Sequence, residues 1–132
     1  MGRLILISFF ILLFSPLLHT QTFEEDTVHI QSKGHDLGGV IMFPEGKKKK
    51  LPIVLIIQGS GPTDKDGNSI ALAGKNNSLK LLAEVLAQNG IASLRFDKRG
   101  VGLSKEAAIP EAELSFDDFV NDANAWLEFL IE

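Results

Sequence analysis

The residues best suited to chemistry in this chain form a glycine-rich loop at residues 58–64, QGSGPTD. Gly59 and Gly61 stand on either side of Ser60, and glycine lets the backbone adopt positive φ angles and approach a ligand closely. Peptide N–H groups presented in this way favour negatively charged ligands. The alternative reading is that the glycines only terminate a strand. The loop is the first candidate for a binding site.

A second segment with charged residues and glycines lies at residues 97–104, DKRGVGLS. Asp97 and Arg99 suggest a charged catalytic role. However, an acid and an arginine around Gly100 and Gly102 are better suited to fixing a turn through charge-assisted hydrogen bonds. We therefore predict a supporting turn here and assign no catalytic residue to it.

A nucleophile with its base cannot be assigned in the sequence. There are no cysteines, and neither Ser60 nor Ser104 lies in a Gly-x-Ser-x-Gly pattern. The three histidines, His19, His29 and His35, all precede residue 51, where a continuous apolar run begins. A serine without a base to remove its proton is a weak nucleophile. The prediction is that the chain contains no catalytic residues of its own.

Composition excludes several classes of protein. The 132 residues carry 13 basic and 17 acidic side chains, a net charge of −4, and no basic patch except the lysine run 47–50. A nucleic-acid partner is therefore not expected. Asp64, Asp66 and Asn68 have the spacing of calcium ligands, but Lys75 occupies the position that needs a glutamate. No metal and no cofactor are predicted.

The glycine-rich loop directly follows an apolar run at residues 51–57, LPIVLII. An uninterrupted apolar run cannot alternate between a buried and an exposed face, so both faces are expected to be covered. The run therefore predicts a central parallel strand. Open α/β sheets bind ligands beyond the carboxyl ends of such strands, which is where the loop lies.

Further elements follow from residue periodicity and from turn residues. Two short β-rich runs, 27–30 and 39–43, predict an antiparallel pair, and 91–96 predicts a second parallel strand. One helix is expected to begin at the candidate caps Asn77-Ser78 and to end at Asn89-Gly90. Its apolar face is formed by Leu79, Leu82, Ala83, Leu86 and Ala87. A second helix is expected to begin at Ser115, which forms a capping-box variant with Asp118 three residues later. Its apolar stripe is formed by Phe116, Phe119, Val120, Ala123, Trp126, Leu127 and Leu130.

The N-terminus has the features of a secretory signal peptide. Arg3 precedes a short apolar run that ends at Pro16, before a polar segment around Thr20. We predict a signal peptide over residues 1–21, and hence a secreted or periplasmic protein. The alternative is an uncut signal anchor, although the apolar run is shorter than the ~20 residues that a membrane-spanning helix needs. No stable membrane span is expected.

The order of these segments resembles the N-terminal part of an α/β-hydrolase, and in particular the secreted bacterial esterase-like serine hydrolases. In that fold the loop after the third strand supplies part of the oxyanion hole, and a D-x-R-G-x-G-x-S turn follows the fourth strand. Many members have histidine where this chain has Gln58. Because the donors of such a hole are backbone N–H groups, this departure changes little.

The resemblance implies roles for both glycine-containing segments. The N–H of Ser60, helped by Gly59 or Gly61, would donate to a substrate carbonyl oxygen as it becomes an oxyanion. The turn beside the site would be formed by Asp97, Arg99, Gly100 and Gly102.

The resemblance covers nearly all of residues 22–132 but only about the first half of the family's domain. We therefore expect an incomplete α/β domain that ends before the nucleophile elbow. The expected function is the N-terminal portion of a serine hydrolase acting on small carboxylic esters, inactive until the missing half completes it. The alternatives are a small secreted module that binds an anion without chemistry, and a signal-anchored interaction protein.

Overall fold

The computed structural model describes residues 23–46, 50–69 and 71–131. The predicted signal peptide and lysines 47–49 lie outside these ranges, so the expectations for them stay predictions. No helix in the described ranges is long and apolar enough to cross a membrane. The elements, in chain order, are β1 Glu24–Ser32, β2 His35–Phe43, β3 Ile53–Ile56, α1 Ser78–Gln88, β4 Ala92–Phe96, a 3₁₀ helix Gly102–Ala107 and α2 Phe116–Ile131.

The four strands form one mixed sheet in the order β1-β2-β4-β3. β1 pairs antiparallel with β2, β2 pairs antiparallel with β4, and β3 pairs parallel with β4. The predicted hairpin and parallel pair are confirmed. The hairpin strands are longer than predicted because they meet at a two-residue turn, Lys33 and Gly34, with φ angles of 48° and 80°. Positive φ at both positions matches the twist of the flanking strands.

The sheet is covered by one helix on each face. Successive residues of a strand point to opposite faces, so Ile41 and Met42 belong to different clusters. The cluster on the α2 side includes Trp126, whose ring stacks on Phe96 with centroids 5.6 Å apart. The cluster on the α1 side is formed by Met42, Ile56, Ala83 and Ala87. The predicted α/β class is therefore confirmed.

β3 lies at the edge of the sheet in the described residues, paired only with β4. The expectation that both of its faces are covered is wrong, because Val54 is 39% exposed and Ile57 is 59% exposed. Only Ile56 is buried, under α1. A strand with an apolar run but a single neighbour leaves backbone N–H and C=O groups unpaired along its outer edge.

Both predicted helices are present, but their starts differ in detail from the prediction. Asn77 has a left-handed backbone with φ of 50° and makes no side-chain cap. Instead, the side-chain oxygen of Asn76 accepts the N–H of Ser78 at 3.1 Å. Leu82, predicted on the buried face of α1, is 45% exposed, and Phe116, at the first residue of α2, is 79% exposed. The apolar faces are therefore buried only where the sheet lies beneath them.

Candidate functional site

The glycine-rich loop leaves the carboxyl end of β3 with its carbonyl groups bound and its N–H groups free. The ammonium of Lys98 donates to the carbonyl oxygens of Gly59 and Gly61, the latter at 2.9 Å. The hydroxyl of Thr63 donates to the carbonyl oxygen of Ser60 at 3.2 Å. Within the described ranges, the N–H groups of residues 59–61 have no hydrogen-bond partner. The loop is exposed, so these donors are available to a ligand.

Asp97 is fully buried at the carboxyl end of β4, and each of its carboxylate oxygens accepts a hydrogen bond. Its carboxylate accepts the N–H of Lys65 at 2.7 Å and the N–H of Leu103 at 2.8 Å. Backbone donors stabilise a buried carboxylate because they replace the water it has lost. Asp97 therefore joins the loop after β3 to the turn after β4.

The carboxylate of Asp97 approaches the backbone of Gly102 so closely that only glycine fits at this position. A Cβ atom on Gly102 would lie 2.6 Å from Cγ of Asp97, and the φ angle of 48° is itself unfavourable for other residues. Ser104 closes the turn, since its hydroxyl donates to the carbonyl of Asp97 and accepts the N–H of Gly38, at 2.8 and 2.9 Å. The spacing of Asp97, Gly102 and Ser104 is thus explained by hydrogen bonds within the turn and to β2.

Arg99 is buried and forms a bidentate ion pair with Asp122 of α2. Nε and Nη2 of Arg99 donate to the two carboxylate oxygens, both at 2.7 Å. These hydrogen bonds raise the pKa of the Arg99 guanidinium above its ordinary value, against the opposing effect of burial. The hydroxyl of Ser32 also donates to Asp122, at 2.6 Å. The pair therefore ties the turn after β4 to α2 and to the hairpin.

The two predicted segments lie side by side because β3 and β4 are parallel neighbours, and their carboxyl ends are therefore next to each other at the same end of the sheet. Lys98 bridges the segments through the glycine loop carbonyls. Gln58 bridges them again, with its buried side-chain nitrogen donating to the carbonyl of Phe96 at 2.6 Å. All of the predicted site residues are thus in one region. Their roles as oxyanion donors and as a supporting turn remain predictions.

Two residues of this region were missed from the sequence, Lys98 and Asp122. Lys98 lies between Asp97 and Arg99, and nothing in the local sequence distinguishes it from an ordinary surface lysine. Asp122 could have been found, because it lies three residues after Phe119 and four before Trp126 and so interrupts the apolar stripe of α2 with a charge. A buried arginine needs a counter-ion, and such a carboxylate is the natural candidate.

The residues that resemble calcium ligands serve a structural role. The carboxylate of Asp64 accepts the N–H groups of Asp66 and Asn68 at 3.0 and 2.8 Å. Asn68 is buried and accepts the N–H groups of Asn76 and Asn77. Among the described residues, no group of three histidine or acidic side chains is arranged to hold a metal ion. This network orders the long loop between β3 and α1.

Neither candidate serine has the environment of a nucleophile in the described structure. Ser104 is fully buried, with its hydroxyl both donating and accepting. His29 lies on the exposed hairpin, where Nδ1 is 2.8 Å from the carboxylate of Asp36. None of the hydrogen bonds among the described residues joins a histidine to a serine.

Comparisons with known proteins identify the fold. No protein-family model and no curated protein sequence matches the chain. A cold-adapted esterase from an Arctic intertidal metagenomic library matches its structure with a TM-score of 0.58 and 19% identity, over 82% of this chain and 44% of that one. An α/β hydrolase from Penicillium matches with a TM-score of 0.54 and 22% identity, over 80% and 32%.

A third structure, brefeldin A esterase, described as a bacterial homologue of human hormone-sensitive lipase, has a TM-score of 0.58 and 21% identity, over 86% of this chain and 28% of that one. The chain therefore has the fold of the N-terminal part of an α/β-hydrolase, as the resemblance predicted. It spans less than half of the length of each of these three proteins.

Proposed function

We propose that this chain supplies the oxyanion-binding part of a carboxylic-ester hydrolase site. The observation that carries the proposal is the loop after β3, where the N–H groups of Gly59, Ser60 and Gly61 are free while the carbonyls are bound. Attack on an ester carbonyl places negative charge on its oxygen. N–H donors already fixed around that position lower the barrier by about 3 kcal/mol each, because nothing has to reorganise during the reaction.

The ester class of substrate is supported by the structures of the same fold that are described as esterases. The serine nucleophile, the acid and the histidine would come from polypeptide beyond the 132 residues, since no Gly-x-Ser-x-Gly followed by an acid and a histidine occurs within them. The 132 residues alone are therefore expected to show no turnover. We place this activity outside the cytoplasm on the strength of the N-terminal signal pattern.

The assay is hydrolysis of p-nitrophenyl acetate by the purified chain, alone and mixed with a second polypeptide that carries the elbow and the remaining triad. Turnover only in the mixture is the expected result. Turnover by this chain alone would refute the proposal, because a triad would then have been overlooked.

Two variants of one residue separate the backbone donor from the side chain. Ser60→Pro removes the N–H and is expected to lower kcat of the mixture by about 100-fold, as the loss of an oxyanion donor does. Ser60→Ala keeps the N–H and is expected to retain activity. Equal losses in both variants would contradict the assignment, since the hydroxyl would then be the essential group.

A second candidate is a non-enzymatic module that binds a carboxylate or phosphate at the same loop. It is favoured by the open surroundings of Gly59 and Gly61, where a Cβ atom would meet nothing within 4 Å in the described structure. Under this hypothesis the chain is a compact monomer that binds inorganic phosphate with saturation, and the mixture has no esterase activity. Ser60→Pro would then abolish phosphate binding.

A further inference from the structure

Lys98 is the side chain that connects the turn after β4 to the glycine loop. Its ammonium is shared between two carbonyl oxygens, those of Gly59 and Gly61. The same ammonium lies 5.7 Å from the centroid of the Phe119 ring of α2. Partial burial lowers the pKa of the Lys98 ammonium below its ordinary value. The ammonium is thus held by contacts with two elements, the glycine loop and α2.

The orientation of a carbonyl fixes the orientation of the N–H in the same peptide plane. The peptide group is planar and trans, so the carbonyl of Gly59 and the N–H of Ser60 point in opposite directions. Because Lys98 holds that carbonyl, the N–H of Ser60 is directed away from Lys98. The bond from Thr63 to the carbonyl of Ser60 fixes the N–H of Gly61 in the same way.

We propose that Lys98 is a positioning residue, which holds the glycine loop so that the N–H of Ser60 is presented to the developing oxyanion. The proposal rests on the proposed function for its role in hydrolysis. Glycine has more backbone conformations to lose than any other residue, so a Gly-Ser-Gly loop needs an external restraint to stay in one. A lysine suits this role because its compact head carries three donors on a flexible stem and can serve two carbonyls.

Loop order in the chain itself is the first test. Backbone ¹⁵N relaxation compares the wild type with Lys98→Met, which keeps the stem and removes the donors. The order parameters of residues 59–61 are expected to fall from about 0.85 to below about 0.6 in this variant. Lys105→Met is the matched control, since Lys105 is exposed and pairs only with Glu106 in the described structure. Unchanged order parameters in Lys98→Met would overturn the proposal.

Kinetics in the reconstituted hydrolase form the second test. A misplaced N–H donor reduces the stabilisation of the transition state more than it reduces the binding of the substrate. Lys98→Met is therefore expected to lower kcat by about 100-fold and to change KM by no more than about twofold. Lys98→Arg retains charged donors and is expected to restore part of kcat. A lysine needed only for folding would lower the melting temperature and the amount of active protein while leaving kcat per active site unchanged, which would contradict a positioning role.

The two tests separate the failure of this proposal from the failure of the proposed function. If the wild-type mixture hydrolyses esters and Lys98→Met does so equally well, the positioning role is refuted and the oxyanion loop stands. If the wild-type mixture is inactive but Lys98→Met loosens residues 59–61, the hydrolase assignment is refuted and the restraint by Lys98 is retained.

Discussion

Three buried charged residues, Asp97, Arg99 and Asp122, stabilise the region around the candidate site through hydrogen bonds between elements. Arg99 and Asp122 satisfy each other through two hydrogen bonds, and Asp97 is satisfied by two backbone N–H groups. A charge removed from water is costly unless its partners replace the lost hydration. Each of these residues thus depends on a partner in another element, so replacing one of them leaves its partner without that hydrogen bond.

Asp122→Asn tests this dependence. The substitution preserves shape but leaves the buried Arg99 guanidinium without a counter-ion, so we expect a loss of about 3 kcal/mol in the free energy of unfolding. Urea denaturation followed by circular dichroism measures it. Asp117→Asn, an exposed carboxylate in the first turn of the same helix, is the control and should change stability by less than about 0.5 kcal/mol. Similar losses in both variants would show that the ion pair contributes nothing specific.

Among the elements, α2 shows how a short polar motif fixes the start of a helix. The carboxylate of Asp118 accepts the N–H of Ser115 at 2.9 Å and its hydroxyl at 2.8 Å. This is the predicted cap with one difference, since the serine hydroxyl donates to the acid rather than accepting a helix N–H. The ammonium of Lys33, in the hairpin turn, lies 3.4 Å from the same carboxylate.

These contacts predict a pH dependence. The hydrogen bonds from Ser115, helped by Lys33, lower the pKa of Asp118 from 3.8 to about 2. A depressed pKa in the folded state means that the stabilisation is complete above the unfolded pKa near 4 and is lost as the pH falls through 2. An NMR titration of the Asp118 carboxyl measures this, and Ser115→Ala is expected to raise the pKa part of the way to 3.8. Because the backbone N–H of residue 115 is kept, no change in Ser115→Ala would refute the contribution of the hydroxyl.

At the scale of the whole molecule, the main feature of the described residues is a sheet edge that no other described element covers. β3 is apolar and pairs only with β4 in the described residues, with Val54 and Ile57 exposed beside its open backbone groups. In soluble proteins such an edge is covered, or blunted by charge, because it otherwise pairs with another chain. We therefore expect the isolated chain to associate unless other polypeptide covers β3.

Val54→Lys tests this expectation. A lysine on an edge strand opposes pairing with a second chain, so light scattering should show less concentration-dependent association than in the wild type. Leu81→Lys is the control, because Leu81 is an exposed apolar residue of α1 that does not lie on the sheet edge. If both variants reduce association equally, general stickiness rather than the open edge of β3 is responsible.

Local sequence patterns were enough to predict the types of the elements and the location of the two candidate segments. The apolar run before residues 58–64, the helical period of α1 and the second strand before residues 97–104 are local patterns, and local patterns follow from backbone geometry. The motif spacings then pointed to the α/β-hydrolase fold. Both candidate segments were found in this way, since glycine and charge at the end of a strand need no partner to be recognised.

Which polar residues pair with one another depends on the tertiary structure. Lys98 contacts a carbonyl 39 residues earlier in the chain, and Arg99 meets Asp122 23 residues later. Such pairs have no local signature, because they depend on the strand order and on the crossover that brings the ends of β3 and β4 together. The exposed state of β3 was decided in the same way, since burial of an apolar run requires neighbours that its own residues do not specify.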